Sequence, residues 1–285
     1  MHIQKHAPQF IGIGGKGTGL ALITRLLEAH PDVRGPLPNV GFFCSNTGNS
    51  EDIKIYEKAL ALTTPVPKSG ECCPEYLSAK EAAQCIAATY PDAKLFAIVR
   101  NPLDRAIVEY QHAKSKRHIP ASVSCAQYMT NHPSAQTDGF YARQLTQFFG
   151  FYSPLELHVI VYEDFITDPL TSIQKLYDFL ELKKDFIPKQ LEAFAPPPDE
   201  PIHPGRIKRL IMFIGSKIKK IHPKKIQGPL APPAPVQSNF LSPEELTLFK
   251  KTFAADAAQL SHMLHRDMVV EWQLGTDTAP ESPIA

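Results

Sequence analysis

Long apolar runs, a dominant sign of charge and paired cysteines are all scarce in this chain of 285 residues. The longest apolar stretch, Leu210 to Gly215, is far too short to span a bilayer. Thirty Lys and Arg against 29 Asp and Glu leave a net charge of +1, so the whole molecule offers no general attraction to nucleic acid and any basic surface must be local. The five cysteines (Cys44, Cys72, Cys73, Cys85, Cys125) are odd in number and lack paired metal-ligand spacing, so no metal is expected. Adjacent Cys72 and Cys73 cannot bridge each other without strain, and free thiols in a reducing, cytoplasmic setting are the simpler expectation. No long apolar run follows Met1 to His6, so no secretory signal is expected. What remains, 43% hydrophobic and 21% charged residues, is the composition of a globular protein with a sizeable core.

The first half alternates between strand and helix patterns. Phe10-Ile11-Gly12-Ile13 predicts a buried strand, and Leu20, Leu22, Ile23, Leu26 and Leu27 recur at helical spacing until His30-Pro31-Asp32. A helix from Ser78 to Tyr90 leads to a strand over Lys94 to Arg100, and Pro102 opens a helix through about Lys116. Phe140 to Phe149 predicts a helix, Leu157 to Tyr162 a strand, and Asp168-Pro169 the start of another helix. This alternation predicts an α/β fold of P-loop-like, three-layer form, with a central parallel sheet flanked by helices. Residues 1–195 are expected to form the core. Residues 196–240 hold a basic amphipathic segment, with eight cations between Arg206 and Lys225 and no acid among them, followed by a Pro-rich linker. Its isoleucine stripe is expected to pack on the protein, with membrane contact disfavoured. Ser242-Pro243-Glu244-Glu245 predicts a capping box and a helix through about Leu264. Residues 241–274 would add a C-terminal helix and strand, and 275–285 a disordered tail.

The chemistry concentrates in Gly14-Gly15-Lys16-Gly17-Thr18-Gly19, between the first strand and the first helix. Glycines let backbone N–H groups approach phosphate oxygens, and the following helix supplies partial positive charge. The loop of ATPases and kinases needs Lys followed directly by Ser or Thr; here Gly17 separates Lys16 from Thr18, which argues against a kinase. No acidic residue stands where a dinucleotide fingerprint requires one. A ligand-free tight turn explains so many glycines less well than a phosphate cradle does.

The run Ile11 to Leu20, with His30-Pro31-Asp32-Val33 after it, resembles the 5'-phosphosulfate loop of sulfotransferases that use PAPS (3'-phosphoadenosine 5'-phosphosulfate). The similarity is greatest to the carbohydrate (heparan sulfate N- and O-) branch and its bacterial relatives. Arg100-Asn101-Pro102-Leu103-Asp104-Arg105-Ala106 resembles the family's 3'-phosphate motif, and Tyr110-Gln111-His112 continues it. Tyr162-Glu163-Asp164-Phe165 and Ser242 through Arg266-Asp267 to Trp272 resemble later family segments. The resemblance implies that Gly14, Gly15, Lys16, Gly17, Thr18 and Gly19 hold the 5'-phosphosulfate. It further implies that Lys16 stabilises the leaving phosphate, Arg100 grips the 3'-phosphate, and the acceptor is a hydroxyl or amine of a carbohydrate or small metabolite. Arg105 is expected to be structural, pairing near Asp104 or with a loop carboxylate.

The chain departs from the family at four places. Gly15 stands at the usual lysine position, with Lys16 one residue later. Asn39 replaces the Glu that acts as base before Phe42-Phe43; Cys72-Cys73 replace Lys-Ser/Thr before Pro74; and Val108 replaces a serine. Glu71, Glu75 and His112 are the candidate substitute bases. Two readings therefore stand side by side: an active sulfotransferase, and a catalytically degenerate member that binds a nucleotide or partner.

Overall fold

The computed structural model describes residues 7–33, 39, 41–44, 52–54, 56–57, 68–194 and 240–275. Four parallel strands form one sheet in the order β2-β1-β3-β4: β1 (Phe10–Gly14), β2 (Gly70–Cys73), β3 (Lys94–Val99) and β4 (Leu157–Val161). Side chains alternate between two buried faces, as parallel strands require. Ile11, Ile13, Cys73, Leu95, Ala97 and Val99 face one core; Phe10, Cys72, Phe96, Ile98 and Ile160 face the other.

The helices supply the outer layers. On the second face lie α1 (Leu20–Glu28), which buries Leu20, Ile23, Leu26 and Leu27, and the later helix that carries Ile173, Leu176 and Tyr177. Against the first face pack α2 (Ala82–Thr89), α3 (Pro102–Ser115), α4 (Cys125–Asn131), α5 (Pro133–Thr137) and α6 (Tyr141–Phe149). After β4 come α7 (Tyr162–Thr167) and α8 (Pro169–Phe179), and the chain closes with α9 (Pro243–Leu264) and α10 (Met268–Glu271). Each fully buried Leu, Ile or Phe in these layers contributes about 1.5–3 kcal/mol.

Three expectations change. The strand β2 was not expected, because Gly70-Glu71-Cys72-Cys73 carries no run of β-branched residues. The helix expected from Ser78 begins only at Ala82, after turns that follow Pro74. In place of the strand expected near the C-terminal end stands α10, whose Asp267 side chain accepts from the Val270 N–H. The basic segment Arg206–Lys225 and the tail from residue 276 lie outside the described residues.

Two local devices fix the ends of this frame. The α9 capping box forms as expected: Ser242 Oγ accepts from the Glu245 N–H at 3.3 Å, and Glu245 accepts from the Ser242 N–H at 2.8 Å. Ser242→Ala should lower stability by about 1 kcal/mol, read from the urea midpoint. At the opposite edge Glu181 accepts from Lys94 at 2.7 Å and Lys68 at 3.1 Å. Those bonds hold its carboxyl down to about 2. A depressed carboxyl stabilises the fold above its unfolded pKa and loses that contribution as pH falls. The stability gap between the parent and Glu181→Gln should thus be full near neutrality and close between about pH 4.5 and pH 2 in acid-denaturation curves.

Candidate functional site

Because β1 is central, its neighbours β2 and β3 deliver their own C-terminal loops to the same edge. Ligands of open α/β sheets collect there. Ile13 pairs with Cys73 on one side and Ala97 on the other, so the loops after residues 14, 73 and 99 converge.

The glycine loop is folded on itself. Both the N–H and the hydroxyl of buried Thr18 donate to the Gly15 carbonyl, at 3.2 and 2.8 Å. Gly17 and Gly19 have φ of 85° and 101°, the left-handed region that side chains resist. A Cβ on Gly17 would lie 2.7 Å from the Arg105 carbonyl, and one on Gly19 2.7 Å from the Tyr162 ring. Gly19 caps α1 without a side-chain bond, so the positive end of the helix faces the loop unscreened by any cap.

Two arginines from the β3 connection hold this loop. Arg100 follows β3, is 5% exposed, donates from Nη1 to the Gly17 carbonyl at 3.2 Å, and lies 4.2 Å over the Tyr162 ring. Its buried Nε has no hydrogen-bond partner among the described residues. Arg105, one turn into α3, is fully buried. Its Nη1 donates to the Lys16 carbonyl at 3.0 Å and to Glu109 at 2.8 Å, and its Nη2 to the Ala135 carbonyl. Arg105 is structural as expected, but its carboxylate partner is Glu109, one helical turn on. Removing one member of such a buried pair leaves the other charge uncompensated, so Arg105→Ala should lower stability by about 3–5 kcal/mol in urea titration.

The loop's own cation has a different partner. Lys16, 59% exposed, places its ammonium 3.9 Å from Glu75, on the loop after β2. Among the other candidates, Glu71 is completely buried in β2. One of its oxygens accepts from the Gly41 N–H at 3.0 Å; the other accepts the hydroxyls of Tyr56 at 2.7 Å and Tyr76 at 2.8 Å. Burial and the neighbouring Glu71 push both phenols far above their ordinary range. Glu71 therefore pins the Gly41-Phe42-Phe43 turn, a role the sequence did not reveal. Asn39 is exposed, and His112 is exposed near the end of α3. Val108 stays on α3, so no hydroxyl appears there. Cys73 and Cys44 thiols lie side by side beneath Gly41, both raised by burial.

The C-terminal helices lock the Arg100 arm. Asn101 donates to the Trp272 carbonyl at 3.0 Å, and its N–H donates to Glu163 at 2.9 Å. Trp272 Nε1 donates to the second Glu163 oxygen at 3.1 Å. Burial holds the Glu163 carboxyl above its usual range. Next to it Arg266 bonds both Asp164, with one contact at 2.9 Å, and Glu271. Segments far apart in sequence thus meet on one clamp.

The fold and its loop define a three-layer α/β protein with a P-loop-like strand–loop–helix. A sulfotransferase family model matches residues 39–186, just over half of the chain, and the chain belongs to the sulfotransferase family. The human heparan sulfate glucosamine 3-O-sulfotransferase 3B1 is 30% identical over 187 residues, covering 63% of this chain and 47% of that protein. The human heparan sulfate glucosamine 3-O-sulfotransferase 6 is 28% identical over 191 residues, covering 64% and 54%. The chain thus spans about half the length of these curated relatives. Among solved structures, a sulfotransferase from Alicyclobacillus acidocaldarius superposes with a TM-score of 0.68 at 21% identity, over 94% of this chain and 99% of that one. Mouse sulfotransferase SULT7A1 complexed with PAP gives 0.53 at 14% identity, over 92% and 88%. These likenesses show the fold.

Proposed function

We propose that this protein transfers a sulfuryl group from PAPS to a hydroxyl or amine of a saccharide or small metabolite. The observation that carries this reading is the junction of Arg100 with the glycine loop across β1 and β3, closed by the 3.2 Å bond to Gly17. A buried arginine with an unpartnered Nε, beside two left-handed glycines and an uncapped helix start, fits a ligand with two separate phosphate groups. PAPS, when bound, supplies a sulfuryl group already attached to a phosphate leaving group. The amides of residues 14–19 would hold the 5' end, Arg100 the 3'-phosphate, and Lys16 would face the charge that gathers on the leaving phosphate.

The names of the curated relatives support a saccharide acceptor. The cytoplasmic setting proposed here rests on the sequence alone, on an odd number of cysteines without paired spacing.

The test is calorimetric titration with the desulfonated product PAP (3'-phosphoadenosine 5'-phosphate) and with ADP. PAP should bind more tightly, since ADP has no 3'-phosphate. Charge-assisted bonds contribute about 1.5–3 kcal/mol, so Arg100→Ala should weaken PAP by roughly tenfold or more and ADP far less. Equal affinities for PAP and ADP in the parent protein would sink this reading.

A further inference from the structure

Asn39 cannot take a proton, so a protein that transfers sulfuryl groups needs a base from elsewhere. The structure sorts the three acidic or basic side chains near this region. Glu71 has both oxygens occupied and no exposed surface. His112 is an exposed residue near the end of α3, and its carbonyl accepts from the Lys116 N–H at 3.0 Å. Glu75 differs from both. It follows β2 at the edge where the glycine loop emerges, and its backbone is pinned by the Ala79 N–H, which donates to its carbonyl at 3.1 Å. Its side chain, 42% exposed, meets Lys16 at 3.9 Å through one oxygen and receives the Cys73 thiol at 3.4 Å on the other.

We propose that Glu75 is the proton acceptor in this protein and that its ion pair with Lys16 is a resting lock. The inference rests on the sulfuryl-transfer reading. At 3.9 Å between two half-open side chains the pair is weak, and a phosphosulfate in the loop, with one negative charge on its phosphate and one on its sulfate, outcompetes a single carboxylate for Lys16. Lys16 then turns to the phosphate, and the freed Glu75 oxygen faces the acceptor. The acceptor's O–H or N–H proton passes to Glu75 as its lone pair forms the bond to sulfur. The bond from sulfur to the bridging oxygen breaks with its electron pair left on the phosphate, opposite Lys16. One lysine thereby serves in turn as guard of the base and as counter-ion of the leaving group. The charged and titratable groups around Glu75 are Lys16, Cys73, Cys44 and Glu71; Asp138, held above its usual range mainly by burial, adds a second carboxyl near Lys16.

The lock and the base make opposite demands on one substitution. Glu75→Gln removes the competitor for Lys16, so PAP should bind about three- to tenfold more tightly at pH 7.5. That gain should vanish when Lys16→Ala is present in both partners of the comparison. With PAPS and an N-sulfated glucosamine oligosaccharide, the same variant should lose about a hundredfold or more in kcat, and Glu75→Asp should recover part of it. Glu75→Gln that binds PAP no better than the parent, or that keeps the parent's kcat, would overturn the proposal. So would a parent protein that transfers to no hydroxyl or amine across a saccharide and phenol panel. PAP preferred over ADP in the parent, with Glu75→Gln silent in both assays, would remove the role of Glu75 and leave the nucleotide reading intact.

Discussion

The guanidinium of Arg105 has no surface in water and still satisfies three partners: the Lys16 carbonyl inside the glycine loop, the Glu109 carboxylate on its own helix, and the Ala135 carbonyl at α5. A buried charge is tolerated only when paired and hydrogen-bonded, so the loop, α3 and α5 are held in one arrangement or the charge is stranded. The same residue's backbone carbonyl sits where a Cβ on Gly17 would go. The left-handed turn at Gly17 and the position of α3 are therefore two expressions of one constraint. Arg100 adds its bond to Gly17 from five residues earlier, so the loop after β1 and the arm after β3 cannot move independently.

Around that rigid junction the acidic side of the site is arranged in two tiers. Glu71, below, is a framework group: two tyrosine hydroxyls and the Gly41 N–H fill its oxygens, and in return it fixes the turn that carries Phe42 and Phe43. Phe42 stacks on Tyr56, and Phe43 meets Tyr56, Tyr76 and Tyr90 edge-on, which makes an aromatic wall. Glu75, above, remains in contact with water and with Lys16. Two carboxylates four residues apart thus take different parts because one is sealed by phenols and the other is not.

The C-terminal helices matter to the site even though they hold no loop residue. Trp272 and Glu163 clamp Asn101, the residue next to Arg100, and Asn101 also caps α3 by accepting from the Leu103 N–H at 3.1 Å. The orientation of Arg100 thereby depends on Trp272, at the end of α10 and 171 residues beyond Asn101.

Where information is local, the sequence by itself determined it. The glycine loop, the helix starts at Pro102 and Pro169, and the capping box at Ser242 each follow from a few adjacent residues whose backbone preferences need no distant partner. The strands β1, β3 and β4 were legible because they are largely buried and, Lys94 and His158 apart, apolar. β2 was not, since its buried carboxylate is acceptable only once Tyr56, Tyr76 and the Gly41 amide surround it. Tertiary structure alone decided which of Glu71, Glu75 and His112 stays open to the site, and that Arg105 pairs with Glu109 while bracing the Lys16 backbone. Burial, which sets whether a charged side chain is scaffold or reagent, is a property of what folds over it and cannot be read from its neighbours in sequence.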